Sequence, residues 1–313
     1  MVKFSNHSVN VIMYHYIKNY NNNKIFNLKS LDLKKFEEQI NFFKKNTNIL
    51  NNDDFCEILH KKKIPKKPCT LLTFDDGYND HYENVYPLLL KYKIKGIFYP
   101  VANNFENNFL LDVNKIQIIL ANTTNKKKLL YRIFFFIKKY TGKNIDQLKI
   151  NSINLSSRFD SKNTILIKRL LQYHLEKNIR KMIINNIFEE TFNNFNKNIF
   201  SNFYLNTQNA QEMFKDGMAF GVHGYDHYWL NHLNKKEQEY ELKLSINILK
   251  KKKLFNDNLS ICYPYGGYNN NTLNIVKNLK VKFAVTTVVG NLNINNLNRI
   301  YEICRYDCND FLN

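Results

Sequence analysis

The sequence predicts an α/β chain of parallel strands joined by crossover helices, interrupted by a long helical insertion. Three observations lead there. Short apolar runs alternate with segments whose apolar residues recur at helical spacing, in the order strand, helix, strand. Several runs end in residues able to do chemistry, among them His15, Asp75 and Asp76, and in folds of this class reactive groups gather at the C-terminal ends of the strands. Residues 112–205 break the alternation, with Lys/Asn-rich stretches of helical spacing and weak strand signals.

Val9 to Tyr16 reads as a buried strand with His15 near its end. Leu33, Phe36, Ile40 and Phe43 predict a helix over 32–45 with one apolar face. Asp53 offers an N-cap for a short helix through His60. Ile64-Pro65-Lys66-Lys67-Pro68 then breaks the pattern before the strand that ends at Asp75. A helix over 80–92 follows from Tyr82, Val85, Tyr86 and Leu89, and Ile94 to Ala102 is again a strand. In the insertion, Leu129, Ile133, Phe136 and Ile137 mark a helix; a substrate lid and a dimerisation arm are both open readings. After Asn209 come a short helix, a strand over 218–222 and a charged helix over 234–253 with Leu242, Leu244, Ile246 and Leu249 as its apolar contacts. Leu259 to Tyr263 is a strand, 271–279 a helix and Val281 to Thr287 a strand. The expected partition is 1–111, 112–206 and 207–313.

The chain has 313 residues, 44% hydrophobic and 14% aromatic, enough for a sizeable core and against wholesale disorder. Lys and Arg number 46 against 27 Asp and Glu, a net charge of +19. An anionic partner is one explanation. An Asn/Lys/Ile-rich composition is the other, and it is favoured because Asn is at least as abundant as Lys and Lys is scattered in short runs. No helix-turn-helix, RNP-like or zinc-finger pattern supports nucleic-acid binding. Five cysteines, an odd number, argue against a disulfide framework. The first residues lack an apolar core of signal-peptide length and no run approaches ~20 apolar residues, so the sequence reads as cytoplasmic with no transmembrane helix.

The organising stretch is Leu71-Leu72-Thr73-Phe74-Asp75-Asp76-Gly77-Tyr78. Asp is a poor strand former, so two at a strand's end need a reason. Asp-Gly turn chemistry is one. The other lies downstream, where His223-Gly224-Tyr225-Asp226-His227 also follows a short apolar segment. Two His and an Asp are a plausible divalent-metal set with an open position, leaving the second Asp free as a base.

With Pro264-Tyr265-Gly266 added after its strand, the chain resembles the polysaccharide deacetylase family, the NodB-homology group of carbohydrate esterase family 4. The three motifs stand in the family's order, and the resemblance covers about residues 9–110 and 207–310. It implies a distorted (β/α)7-type barrel, open at one side, with the helical insertion set into it. It also implies Asp76, His223 and His227 as metal ligands, Asp75 as general base, and the Tyr265 backbone N–H, beside Pro264, as an oxyanion donor. Zinc is the expected ion, with Co, Ni, Fe or Mn as other possibilities.

Two departures matter. The chain has no late His of the commonest family pattern, and His15 in Met13-Tyr14-His15-Tyr16 resembles the donor of a branch whose motif is N-terminal. Where the family has an Arg two residues before the Pro, this chain has Cys262; Arg305 is the expected substitute and Asp307 the expected partner of His15. Gly224 stands where Ser or Thr is usual. Tyr225 and Trp229 are read either as sugar-site walls or as core. His7, His60, His81, His174 and His232 are assigned to loops or polar helix faces, and contact with substrate is left open for His81 alone.

The function expected is metal-dependent removal of an N-acyl group, with acetyl as the expected group, from an amino sugar in polysaccharide or surface-glycan metabolism. A nucleotide- or lipid-linked sugar is the expected substrate form. The alternatives are deformylation of a formamido sugar and an inactive, metal-containing carbohydrate-binding protein. Sugar identity and oligomeric state are not readable from the sequence.

Overall fold

The computed structural model describes residues 4–19, 28–60, 65–107, 109–192, 200 and 202–311. Two compact units share the chain: Met1–Asn23, Ser30–Phe109 and Ile199–Asn313 make one, Lys24–Lys29 and Leu110–Asn198 the other.

The first unit begins with β1 (Ser8–Tyr14), buried along its whole length. A two-strand ribbon, β2 (Ile17–Lys18) beside β3 (Leu31–Asp32), leads to α1 (Leu33–Asn46). Asp32 caps α1 by accepting from the Lys34 N–H, and Phe36, Ile40 and Phe43 form its buried stripe. After β4 (Asn48–Leu50) comes α2 (Asn52–Leu59). Its cap is Asn51 rather than the expected Asp53: Asn51 is extended and its side chain accepts from the Asp54 N–H. The helix thus starts before Asp53, whose charge falls in the first turn, where it complements the helix dipole.

Next is β5 (Cys69–Asp76), all eight residues buried, as a strand covered on both faces should be. The expected helix over 80–92 is divided. A π-turn, His81–Val85, precedes α3 (Tyr86–Tyr92). The residues buried on this stretch are His81, Val85, Tyr86 and Leu89, while Tyr82 is only partly buried and donates its hydroxyl to Glu212. The wider turn departs from the 3.6-residue period on which the sequence expectation rested. Then comes β6 (Ile97–Pro100).

The second unit is helical: α4 (Asp112–Asn122), α5 (Lys126–Thr141), α6 (Lys162–Arg169) and α7 (Lys177–Thr191), with short 3₁₀ and π turns. It has its own core, to which Ile116, Ile133, Phe136, Ile167, Ile183 and Ile187 belong.

The first unit resumes with α8 (Thr207–Lys215), β7 (Ala219–Phe220), α9 (Lys235–Lys251), β8 (Ser260–Cys262), α10 (Asn270–Asn278), β9 (Phe283–Val285), β10 (Leu292–Asn293) and β11 (Tyr306–Asp307). The parallel pairings run from β1 to β5, to β6, to β7. Val222 then bridges to Ile261, β8 pairs with β9, and Val285 bridges to Ile303. β11 returns alongside β1, Tyr306 opposite Ile12 and Asp307 opposite Met13. The parallel ring is therefore continuous, a distorted barrel whose thinnest joints are the single bridges at Val222 and Val285. β4 and β10 are added beside β5 and β1.

Side-chain alternation sorts the residues of this ring. Val9, Val11, Cys69, Leu71, Ile97, Tyr99, Cys262, Phe283 and Val285 share one core with Phe55 and Cys56 of α2. Ile12, Tyr14, Leu72, Phe74, Phe98 and Phe220 belong to the core that includes Phe36 and Ile40 of α1, Leu89 of α3 and Leu242 of α9. Thr73 and Asp75 continue the Cys69, Leu71 parity. At the end of β5 the chain turns through two left-handed residues, Asp76 (φ 71°) and Gly77 (φ 72°). A Cβ on Gly77 would lie 2.6 Å from Cβ of Pro100, so the position admits only glycine without rearrangement. All five cysteines are free, and among the described residues no helix is long and apolar enough to cross a membrane.

Candidate active site

Asp75, one residue short of the end of β5, is buried and bound by a buried arginine. Arg305 Nη1 donates to Asp75 Oδ1 at 2.8 Å and Nη2 to Oδ2 at 2.7 Å, a bidentate pair. Its remaining donors go to Thr73 Oγ1 (3.0 Å), Thr286 O (2.7 Å) and Cys262 Sγ (3.1 Å), so every N–H of the guanidinium is used. Cys262, where the resemblance called for an arginine, packs its sulfur 3.4 Å from Asp75 Oδ2. Burial pushes the Asp75 carboxyl up, but the charge and hydrogen bonds of Arg305 outweigh it and hold the pKa at about 2.

Asp76, the next residue, faces two imidazoles. Its Oδ1 lies 3.3 Å from His223 Nε2 and 3.2 Å from His227 Nε2, and the two nitrogens are 3.2 Å apart. Tyr78 donates its hydroxyl to Asp76 Oδ2 at 2.5 Å, while Oδ1 is buried with no hydrogen-bond partner. His223 Nδ1 is 2.8 Å from the Cys262 carbonyl. A carbonyl only accepts, so Nδ1 carries the proton and Nε2 presents a lone pair to the centre of the group. Three buried donor atoms thus converge within 4.8 Å of one another. Tetrahedral ligands on bonds of about 2.0–2.1 Å stand roughly 3.4 Å apart, so this donor set fits one divalent ion. Asp76, His223 and His227 are the residues that would hold it.

The loop carrying the two histidines is held from α9. Buried Glu241 accepts the N–H groups of Tyr225 (2.8 Å) and Asp226 (3.0 Å) through one oxygen. Gly224 is left-handed (φ 75°), and a Cβ there would come to 3.3 Å from that same oxygen, so the Ser or Thr expected from the resemblance would crowd it. His227 is itself left-handed (φ 60°), an unfavourable backbone state of the kind that concentrates at functional sites.

His15 lies beyond the end of β1, its side chain 38% exposed and Nε2 3.9 Å from Asp75 Oδ2, too far for a hydrogen bond. The expected pairing of Asp307 with His15 is not what the structure shows. Asp307 Oδ1 instead accepts from the Asn309 N–H (2.9 Å) and Asn309 Nδ2 (2.6 Å), because the turn after β11 folds back on its own strand. Pro264 is buried and Tyr265 is left-handed (φ 57°) in the 3₁₀ turn after β8. The Tyr265 ring meets that of His227 edge to face at 4.5 Å and stacks on Trp229 at 4.8 Å. Tyr225 packs against the helix-side core. Sequence reasoning assigned His81 to a polar face; it is wholly buried, and its Nε2 lies 2.8 Å from the main-chain carbonyl of His15. The signal was present as an i, i+4, i+8 series, His81, Val85 and Leu89. Glu241 left only a weaker trace, an acidic residue on the apolar side of α9 next to Leu242.

A family profile described as polysaccharide deacetylase matches residues 62–134 and 159–284. Putative polysaccharide deacetylase YxkH of Bacillus subtilis (strain 168) is 30% identical over 95 residues, which is 30% of this chain and 32% of that protein. The match therefore spans about a third of the curated relative's length. Among solved structures, Streptococcus pyogenes deacetylase PplD in complex with acetate aligns with a TM-score of 0.61 at 19% identity, covering 97% of this chain and 93% of that one. IcaB from Ammonifex degensii aligns with a TM-score of 0.56 at 13% identity, covering 96% and 91%. At such identities these two likenesses speak for the fold, a NodB-type distorted barrel. The family profile spans well over half the residues, and the chain belongs to the polysaccharide deacetylase family.

Proposed function

We propose that the chain hydrolyses the N-acetyl group of an amino-sugar residue in a polysaccharide or surface glycan, with a divalent ion held by Asp76, His223 and His227. The observation that carries this reading is the juxtaposition at one strand end of an ionised carboxylate, Asp75, and a converging Asp/His/His donor set. A bound divalent ion supplies Lewis acidity at the acyl group. Zinc is the ion proposed, and the same donors suit Co, Ni, Fe and Mn.

The chain's own residues account for the proton transfers. Asp75 takes a proton from the attacking water. With its pKa near 2 it is a weak base in equilibrium terms, so what Arg305 contributes is a carboxylate that stays ionised and aimed. His15, half-exposed beside it, gives a proton to the amide nitrogen as the C–N bond breaks, since an amine anion is a poor leaving group. The Tyr265 backbone N–H, at a left-handed turn whose ring abuts His227, is the proposed oxyanion donor. The products are acetate and a free amino sugar.

The alternative of an inactive carbohydrate-binding protein drew weight from the missing Arg before Pro264 and the missing late His. Arg305 on Asp75 and His15 beside it remove that support. The test is acetate and formate release, with metal content assayed, from N-acetylated and N-formylated amino sugars presented as oligomers and as nucleotide- and lipid-linked forms. Acetate release by wild type and its loss in Asp75→Asn with metal retained is the expected result. Metal-loaded wild type that releases neither acid from any substrate would overturn the proposal.

A further inference from the structure

β1 stops at Tyr14, and the next three residues leave the sheet with main-chain groups that the barrel does not bind. The segment after Tyr78 binds three of them through side chains. His81 Nε2 donates to the His15 carbonyl at 2.8 Å, Asp80 Oδ2 accepts the Ile17 N–H at 3.2 Å, and Asn84 Nδ2 donates to the Ile17 carbonyl at 2.9 Å. Between them, the Tyr16 ring stacks at 3.9 Å on Tyr78, whose hydroxyl is on Asp76. The backbone carrying His15 is thus pinned on both sides, while its imidazole is left 38% exposed.

His81 is the costly member of this set. Its ring sits among Phe74, Tyr78 and Phe98 at 5.7–5.8 Å, an apolar pocket that Leu or Phe would fill without a polar atom. Its Nδ1 is buried with no hydrogen-bond partner, a penalty accepted for the single bond from Nε2. It opens a π-turn, an irregularity that recurs at functional sites.

We propose that the turn Asp80–Val85 is a clamp on the His15 backbone and that His81 is a positioning residue for proton donation by His15. This rests on the reading of His15 as the donor. A group that acts only through the donor matters in proportion to how much the leaving group needs a proton. An amide leaving group needs one, whereas 4-nitrophenolate leaves without it. His81 therefore affects one substrate and not the other, which a general loosening of the fold would not do.

The experiment compares metal-loaded wild type, His81→Phe, His81→Asn and His15→Ala on two substrates: the N-acetylated amino sugar that wild type hydrolyses fastest, and 4-nitrophenyl acetate. His81→Phe is expected to lose about 10–100-fold in kcat on the amide, on the order of what misplacement of a reacting group costs. KM, metal content and the ester rate are expected to stay within about twofold, since neither binding nor the metal set involves His81. His81→Asn, with an amide N–H for the same carbonyl, is expected to recover most of the loss. If His81→Phe does not fold, Asn84→Ala carries the test with the same selectivity at smaller size. Equal losses on both substrates, or an unchanged amide rate, overturn the clamp. If His15→Ala also fails to discriminate between the substrates, the donor assignment beneath it is what has failed.

Discussion

Replacing Arg305 by Met tests whether the Asp75–Arg305 pair is a real electrostatic unit. Arg305 is 1% exposed and its guanidinium makes five hydrogen bonds, two of them to the carboxylate of Asp75, a residue itself 2% exposed. Methionine matches the aliphatic stem but leaves Asp75 charged and dry, together with unpaired acceptors on Thr73 and Thr286. Breaking a buried pair by removing one partner costs about 3–5 kcal/mol, most of it the stranded charge. In a chain of this size that is a fall in melting temperature on the order of 10 °C. The control is Asp75→Asn/Arg305→Met, which removes the charge as well and should be more stable than Arg305→Met alone. The assay is urea unfolding of the four proteins of this cycle at neutral pH, with the coupling taken from the double mutant. Wild type keeps the pair's contribution above about pH 4, where Asp75 is ionised in both states, and loses it as pH falls toward 2. An Arg305→Met protein less than about 1 kcal/mol below wild type, or a double mutant no better than the single, would refute the argument.

Glu241→Leu leaves two loop amides without their acceptor, so metal affinity should fall about 10–100-fold in competition with a chromophoric chelator while the helix content is kept. Gly77→Ala places a Cβ against Pro100 in a left-handed residue and should cost roughly 2–5 kcal/mol by chemical denaturation. Asp80→Asn addresses pH. Burial pushes the Asp80 carboxyl up to about 7 against the opposing charge of Lys18, so its contribution is complete below about pH 4 and lost as pH rises through 7. The Asn variant should match wild type near pH 4 and exceed it above pH 7 by at most about 4 kcal/mol; parallel stability curves across that range would contradict this.

What could be read in advance follows from how local each signal is. The β5 run with Asp75-Asp76-Gly77 and the histidines at 223 and 227 are visible because strand, turn and ligand chemistry are each written within a few residues. Arg305 is 230 residues from Asp75, and only the cysteine at 262 hinted that another cation must serve it. Asp307 was misplaced because only its spacing from Arg305 spoke for it; the short turn at Asn309 satisfies its carboxylate first. His81 was missed because its polar type outweighed its place four residues before Val85, and the π-turn that it opens left no local signal. A single added residue per turn is a tertiary choice, made here where side chains of the turn hydrogen-bond to the main chain of residues 15–17.

The barrel's last seam, Tyr306 beside Ile12, sets an order of events during synthesis. Asp75 leaves the ribosome long before its partner. At about 5–20 residues per second, the 230 residues to Arg305 take roughly 10–50 s. Throughout that interval the nascent chain carries an unneutralised acid on β5, while the neighbouring β1 still waits for β11 and the ring stays open there. Loop closure over such a span is slow, and exposed strand edges invite wrong partners. The arginine is therefore also a timing device. Until it arrives, burying the base is opposed by its own charge, and the same residue that completes the site makes closing the barrel favourable.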